Sequence, residues 1–142
     1  MQWNRSISLL SACLVLAGCV NWFPSVGVAY RGNGDERILA FMRGMYMSSE
    51  EGLARYLRRE LEHGLQPGQG IDGDYLARRG AICVEGAPQV CRFNGVANEH
   101  FRGMPKENAR RARRVTTIEA RVILEQPVRI EVAKTYRYPD EE

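Results

Sequence analysis

The hydrophobic pattern is clearest towards the C-terminal end. Ile118, Ala120, Val122 and Leu124 alternate with Glu119, Arg121 and Glu125. After Gln126-Pro127, Val128, Ile130 and Val132 alternate with Arg129 and Glu131, and Tyr136 and Tyr138 hold the same phase. A period of two with one apolar and one charged side predicts a long antiparallel pair over residues 115–138, buried on one face. Pro127 suits a bend or an edge. Val26, Val28 and Tyr30 alternate in the same way and predict a first strand.

Between these strands the period lengthens to that of a helix. Over residues 35–46, Ile38, Leu39, Phe41, Met42 and Met45 cover a wide face, so this helix should be largely buried. Asn33 and Asp35 are both candidate N-caps, with Glu36 three residues after Asn33. Ser48 and Glu51 have capping-box spacing and open a second helix that runs to His63, with Gly64 in the C′ position. Leu53, Tyr56, Leu57 and Leu61 form its core stripe, and Arg55, Arg58, Arg59 and Glu62 lie towards the other side. The short join makes a helical hairpin or corner.

Residues 66–74 hold four glycines or prolines and read as a surface loop, in which Asp72 and Asp74 are too few ligands for calcium. Residues 75–79 fit either a helical turn or the start of a strand. Residues 81–94 predict a β-hairpin turning at Gly86-Ala87-Pro88, residues 95–104 look irregular, and Pro105 can open a short helix. The expected fold is α+β: two helices on one face of an antiparallel sheet of four to five strands. It forms a single domain over residues 25–138, and the acidic end, 139–142, is expected to fray.

The first residues follow another pattern. Arg5 precedes an apolar run over residues 7–16, too short to span a bilayer, which takes about 20 residues, but suited to a signal-peptide core. The run closes on Leu16-Ala17-Gly18-Cys19, which resembles the lipobox of bacterial lipoproteins. The resemblance implies cleavage after Gly18, removal of residues 1–18, and lipidation of Cys19. Residues 19–24 then form a short tether. Two or three acyl chains on one cysteine should hold almost irreversibly, where a single chain gives only marginal binding. Position 20 is Val rather than the aspartate that retains lipoproteins of enteric type at the inner membrane. That favours the periplasmic face of the outer membrane.

Composition adds little electrostatic preference: the chain carries 20 Lys and Arg against 17 Asp and Glu. Of its four cysteines, Cys13 leaves with the signal and Cys19 is lipidated on this reading. Cys83 and Cys91 remain, and an oxidising compartment makes a disulfide their default. A metal site competes poorly, because His63 and His100 lack finger-like spacing. Arg110, Arg111, Arg113 and Arg114 form the strongest local charge. Export argues against nucleic acid; the favoured reading is a solvated turn before a strand, and anionic lipid headgroups are the more physical partner where the cluster binds anything.

No nucleophile motif, glycine-rich phosphate loop or helical histidine pair is present, and no cofactor or metal is implied. Adjacent Glu99 and His100 are the only acid–base hint, and two such residues without geometry are poor evidence for catalysis. The expected function is a non-catalytic, lipid-anchored accessory or assembly factor that binds another envelope or secretion component. A periplasmic ligand-binding or hydrolase-inhibitor module is the alternative, followed by a small hydrolase. An exposed apolar groove between helices and sheet favours the first, a protruding loop with converging polar groups the second, and a His100 pocket the third. Oligomeric state is left open.

Overall fold

The computed structural model describes residues 26–141. The Cys19 lipobox and the 19–24 tether therefore lie outside the described residues. In chain order come β1 (Val26–Gly32), α1 (Glu36–Met45), α2 (Glu50–His63), α3 (Gly73–Arg78), β2 (Ile82–Val84), β3 (Gln89–Phe101), β4 (Arg113–Leu124) and β5 (Arg129–Arg137). Short 3-10 helices occupy Lys106–Arg111 and Pro139–Glu141.

The strands form one five-stranded antiparallel sheet in the order β1-β3-β4-β5. β2 lies beside β3 on the same side as β1 and in line with it, so both pair with different parts of one long strand. Both hairpin turns contain a cis proline bond, Ala87–Pro88 and Gln126–Pro127. The fold is α+β as expected, with α1 and α2 over one face of the sheet.

β3 continues through Phe101, where the sequence pattern looked irregular. Its core-facing side carries Cys91, Phe93, Gly95, Ala97 and Glu99, all buried. Two small residues and a carboxylate interrupt the apolar period while the strand continues. Gly95 is required by packing: a Cβ there would lie 1.7 Å from the hydroxyl of Tyr30.

The helices bury most of the stripes that the periodicity assigns, but Tyr56 turns outward and is exposed. The first helix, α1, expected to be largely buried, fully encloses only Ile38 and Met42, with Leu39, Phe41 and Met45 half-buried. Ile38, Met42, Leu53, Leu57 and Leu61 are enclosed against Phe93, Ile118 and Val122. Each such side chain contributes about 1.5–3 kcal/mol on burial. Asp35 caps α1 by accepting from Ile38 N at 2.7 Å. Ser49 caps α2 by accepting from Gly52 N at 3.1 Å. The second helix therefore starts one residue later than the Ser48–Glu51 pairing implied, and the capping box is absent. Asn33 clamps the β1–α1 turn instead, donating to the carbonyls of Gly80 and Arg92 at 2.8 and 2.9 Å.

The open choice at residues 75–79 resolves to helix. Asp72 accepts from Tyr75 N at 2.7 Å and caps α3, which explains the aspartate without calcium. Arg79 then pairs with Asp35 and reaches Glu60 at 3.5 Å, fastening α3 to both longer helices. Gly80 follows with φ +86°, and a Cβ there would meet the Gly34 backbone at 2.7 Å. Cys83 and Cys91 face each other across β2 and β3 and form the disulfide. The acidic end does not simply fray: residues 139–141 make a 3-10 turn, and Asp140 pairs with Arg113.

Candidate functional site

The sheet outruns its helices. β3 has 13 residues and α2 has 14, which at about 3.4 and 1.5 Å per residue is roughly 44 Å of strand against 21 Å of helix. Even laid along the strands, the helices cover only part of the face. At the margin the core-facing side turns polar: Glu99 on β3, Arg114 and Thr116 on β4, Lys134 on β5.

Glu99 lies directly opposite Arg114 in the β3–β4 register and is 2% exposed. Arg114 donates to both carboxylate oxygens at 2.6 Å. Thr116 donates at 3.0 Å and Tyr46, just past α1, at 3.1 Å. Burial alone would raise the Glu99 carboxyl; the hydrogen bonds from Arg114 and Thr116, the Arg114 charge and the Tyr46 bond outweigh it and hold Glu99 below its ordinary value. The Glu99 bond raises Arg114, whose guanidinium also lies 5.4 Å from the centre of the Phe101 ring. Tyr46 is raised by burial and by the Glu99 charge.

Beside this network opens a cleft of about 400 Å³ at the α1–α2 corner, rimmed by Met47 and Tyr136. These rim side chains are 72% and 69% exposed, an apolar edge around a charged floor. Lys134 donates from Nζ to the Ser48 carbonyl at 2.7 Å, and its backbone N donates to Glu50 at 2.7 Å. Burial lowers Lys134, and the Arg114 charge adds to this against the pull of Glu50 and Glu99. Lys134 and Arg114 balance Glu50 and Glu99, so the recess is amphipathic with no net charge.

A second recess, of about 560 Å³, separates β1 from α1. Tyr30, Arg31 and Gly32 line one wall, and Glu36, Leu39, Ala40 and Arg43 the other. Tyr30 leans over Gly95, and burial pushes its hydroxyl up to about 12. This is a groove between helix and sheet, open to solvent and partly apolar. No family model, curated protein or solved structure matches this chain.

The four clustered arginines do not share a face. β4 begins at Arg113, so alternation sends Arg113 and Arg114 to opposite sides of the sheet. Arg114 turns inward to Glu99, whereas Arg113 pairs with Asp140, its Nε at 2.9 Å from Oδ2. Arg111 lies 5.6 Å from the Tyr138 ring centre. Arg110 is exposed on the same 3-10 segment as exposed Lys106, and Arg102, just past β3, is exposed too; charge clustering overlooked both. Glu99 and His100 present their side chains to opposite faces of β3: the Glu99 side chain is buried in its network and His100 is exposed, although both residues, with Arg113 and Arg114, line a recess of about 270 Å³ at this end of the sheet. At the other end of the helix layer, Arg37 Nη2 lies 3.1 Å from His63 Nδ1. Among the described residues, no group of three or more His, Cys, Asp or Glu side chains is arranged to hold a metal, and no helix is long and apolar enough to cross a membrane.

Proposed function

We propose that this chain is a lipid-anchored envelope protein without catalytic activity, which presents a docking domain to another envelope or secretion component. The leader ending in Leu16-Ala17-Gly18-Cys19 supports the anchor. One observation carries the docking half: β1, which begins seven residues after Cys19, is an edge strand among the described strands and also forms one wall of an open groove. Seven extended residues reach at most about 25 Å. A domain held on that tether keeps the groove close to the bilayer, where a membrane-bound partner would meet it. Val20 favours the periplasmic face of the outer membrane. Near anionic headgroups, Arg102, Lys106 and Arg110 would each add about 1 kcal/mol. Glu107 and Asp140 at the same end offset part of this, so the lipid carries the attachment and the arginines adjust it.

The engaged state of Glu99 supports a binding role over a hydrolytic one. Both its oxygens are occupied and its neighbour His100 faces away, so the two do not form an acid–base pair.

The test compares the full chain with Cys19→Ala in its native envelope. We expect intact-mass measurement to find acyl chains on Cys19 of a mature protein in the membrane fraction, and an unlipidated precursor for the variant. An unmodified Cys19, or identical membrane partition of both proteins, would overturn the anchor. Crosslinking from Ala40, in the groove wall, should join the anchored protein to one envelope component in constant ratio.

A further inference from the structure

The two edges of the sheet are treated differently. Along β5, side chains from α2 take up backbone groups: Glu50 accepts from Lys134 N at 2.7 Å, and Arg58 donates to the carbonyl of Val128, just before the strand, at 2.6 Å. The strand itself carries four charged side chains, Arg129, Glu131, Lys134 and Arg137. Such capping and charge are the usual protection against edge-to-edge association. β1 lacks these features. Its seven residues, VGVAYRG, include one charge, Arg31, and among the described strands it pairs on one side only.

The register says which groups are open. Asn33 N donates to Asn94 O at 3.1 Å, so residue 33 faces β3. Antiparallel alternation then turns Gly27, Ala29 and Arg31 towards β3, and Val26, Val28, Tyr30 and Gly32 outward. Tyr30 and Gly32 border the groove against α1, and exposed Val26 and Val28 continue the same edge beyond it. The groove has apolar Leu39 and Ala40 with charged Glu36 and Arg43 in its helical wall; Arg31 follows Tyr30 on β1, so alternation sends its side chain to the opposite face of that edge. Neither Arg31 nor Arg43 makes an ion pair with a described residue.

We infer that the groove between β1 and α1 is a strand-addition site, which takes an extended segment of another protein with apolar side chains and at least one acidic side chain. The added strand pairs with the outward groups of Val26, Val28, Tyr30 and Gly32. Its side chains on the helix side rest on Leu39, Ala40 and Tyr30, and a carboxylate meets Arg43 on that side or Arg31 on the other. Main-chain pairing supplies affinity in this mode, and alternate side chains supply selectivity. The inference deepens the docking reading but does not depend on the lipid.

The probe is a displayed library of random seven-residue peptides, matched to β1, panned on the purified mature chain. Enriched peptides should alternate apolar residues and carry an acid. Bound peptide should slow amide exchange at Val28, Tyr30 and Gly32 by at least about tenfold, and leave Gly27, Ala29 and Arg31 unchanged. Val28→Pro removes an outward N–H and should weaken binding by at least about tenfold. Arg43→Glu, on an exposed helix position, should leave the fold intact and select basic peptides instead. No enrichment, equal binding to Val28→Pro, or a β1-paired dimer of this chain that already protects the same amides would overturn the inference. Binders that protect other amides would overturn the groove and leave docking standing; failure of Cys19 lipidation would remove the anchor and leave the groove.

Discussion

Replacing Arg114 with Met should reverse the way Glu99 responds to pH. The Glu99 side chain is fully enclosed and that of Arg114 is 26% exposed. Removing one member of a buried pair costs about 3–5 kcal/mol, because the other charge is left in a poor solvent. Partial exposure of Arg114 admits some water, which sets the expected loss near the lower end, about 3 kcal/mol. A domain stability of about 5–15 kcal/mol leaves the variant folded. With a urea slope of about 2 kcal/mol/M, its midpoint should fall by about 1.5 M at neutral pH.

The sign follows from Glu99. In the parent its carboxyl is held below the ordinary value, so its contribution is present above about pH 4.3 and is lost as pH falls through the folded value. Without Arg114, burial dominates and raises it. The contribution is then present below the ordinary value and is lost as pH rises through the folded one. Parent and variant should differ most at pH 7 and converge towards pH 4, measured by urea unfolding followed by circular dichroism. Glu99→Leu added to Arg114→Met should recover most of the loss, since no charge is then stranded. A difference below about 1 kcal/mol at pH 7, or one that is the same at both pH values, would refute the reasoning.

Two further outcomes can be checked on the same domain. Cys83→Ser opens a nine-residue loop and should lower stability by about 2.6 kcal/mol. Reductant should produce the same fall in the parent and none in the variant. Gly95→Ala puts a methyl where the Tyr30 hydroxyl sits and should cost about 1–3 kcal/mol. In the parent, Tyr30 ionises near pH 12, so the stability it contributes is present below about pH 10 and lost towards pH 12. Ultraviolet titration should show this late tyrosine, and Gly95→Ala should bring it earlier.

The long helices and the C-terminal pair were legible because each has one continuous apolar face. Leu53, Leu57 and Leu61 recur at helical spacing, and Ile118, Ala120 and Val122 at strand spacing, so burial and period agree. β3 was only half legible for the opposite reason. At Gly95 the space is taken by Tyr30 from another strand, and at Glu99 an ion pair replaces apolar burial. Both substitutions for a large apolar residue are tertiary, so no local window contains them. The caps fell within a residue or two, because Ser48 and Ser49, like Asn33 and Asp35, offer similar oxygens. Tertiary contacts decide between Asn33 and Asp35: Asn33 is drawn to the Gly80 and Arg92 carbonyls, which leaves the helix to Asp35.

The arginine cluster shows why the site was harder to read than the fold. Four like charges in five positions look like one basic patch only if they share a surface. A strand beginning at Arg113 makes that impossible, because successive side chains take opposite faces. Arg114 then enters the core side, where an unpaired guanidinium would be costly, and Glu99 is the group that β3 brings opposite. Glu99 and His100 part for the same reason, since adjacent strand residues cannot converge on one substrate. What is left facing outward is set by where the helices stop. Past the α1–α2 corner no described helix covers the sheet, so the core-facing side changes from apolar to charge-paired, and no described strand pairs with the outer edge of β1. The chain's exposed chemistry therefore lies where helix and strand lengths part company, a property of the assembled layers that no run of residues carries by itself.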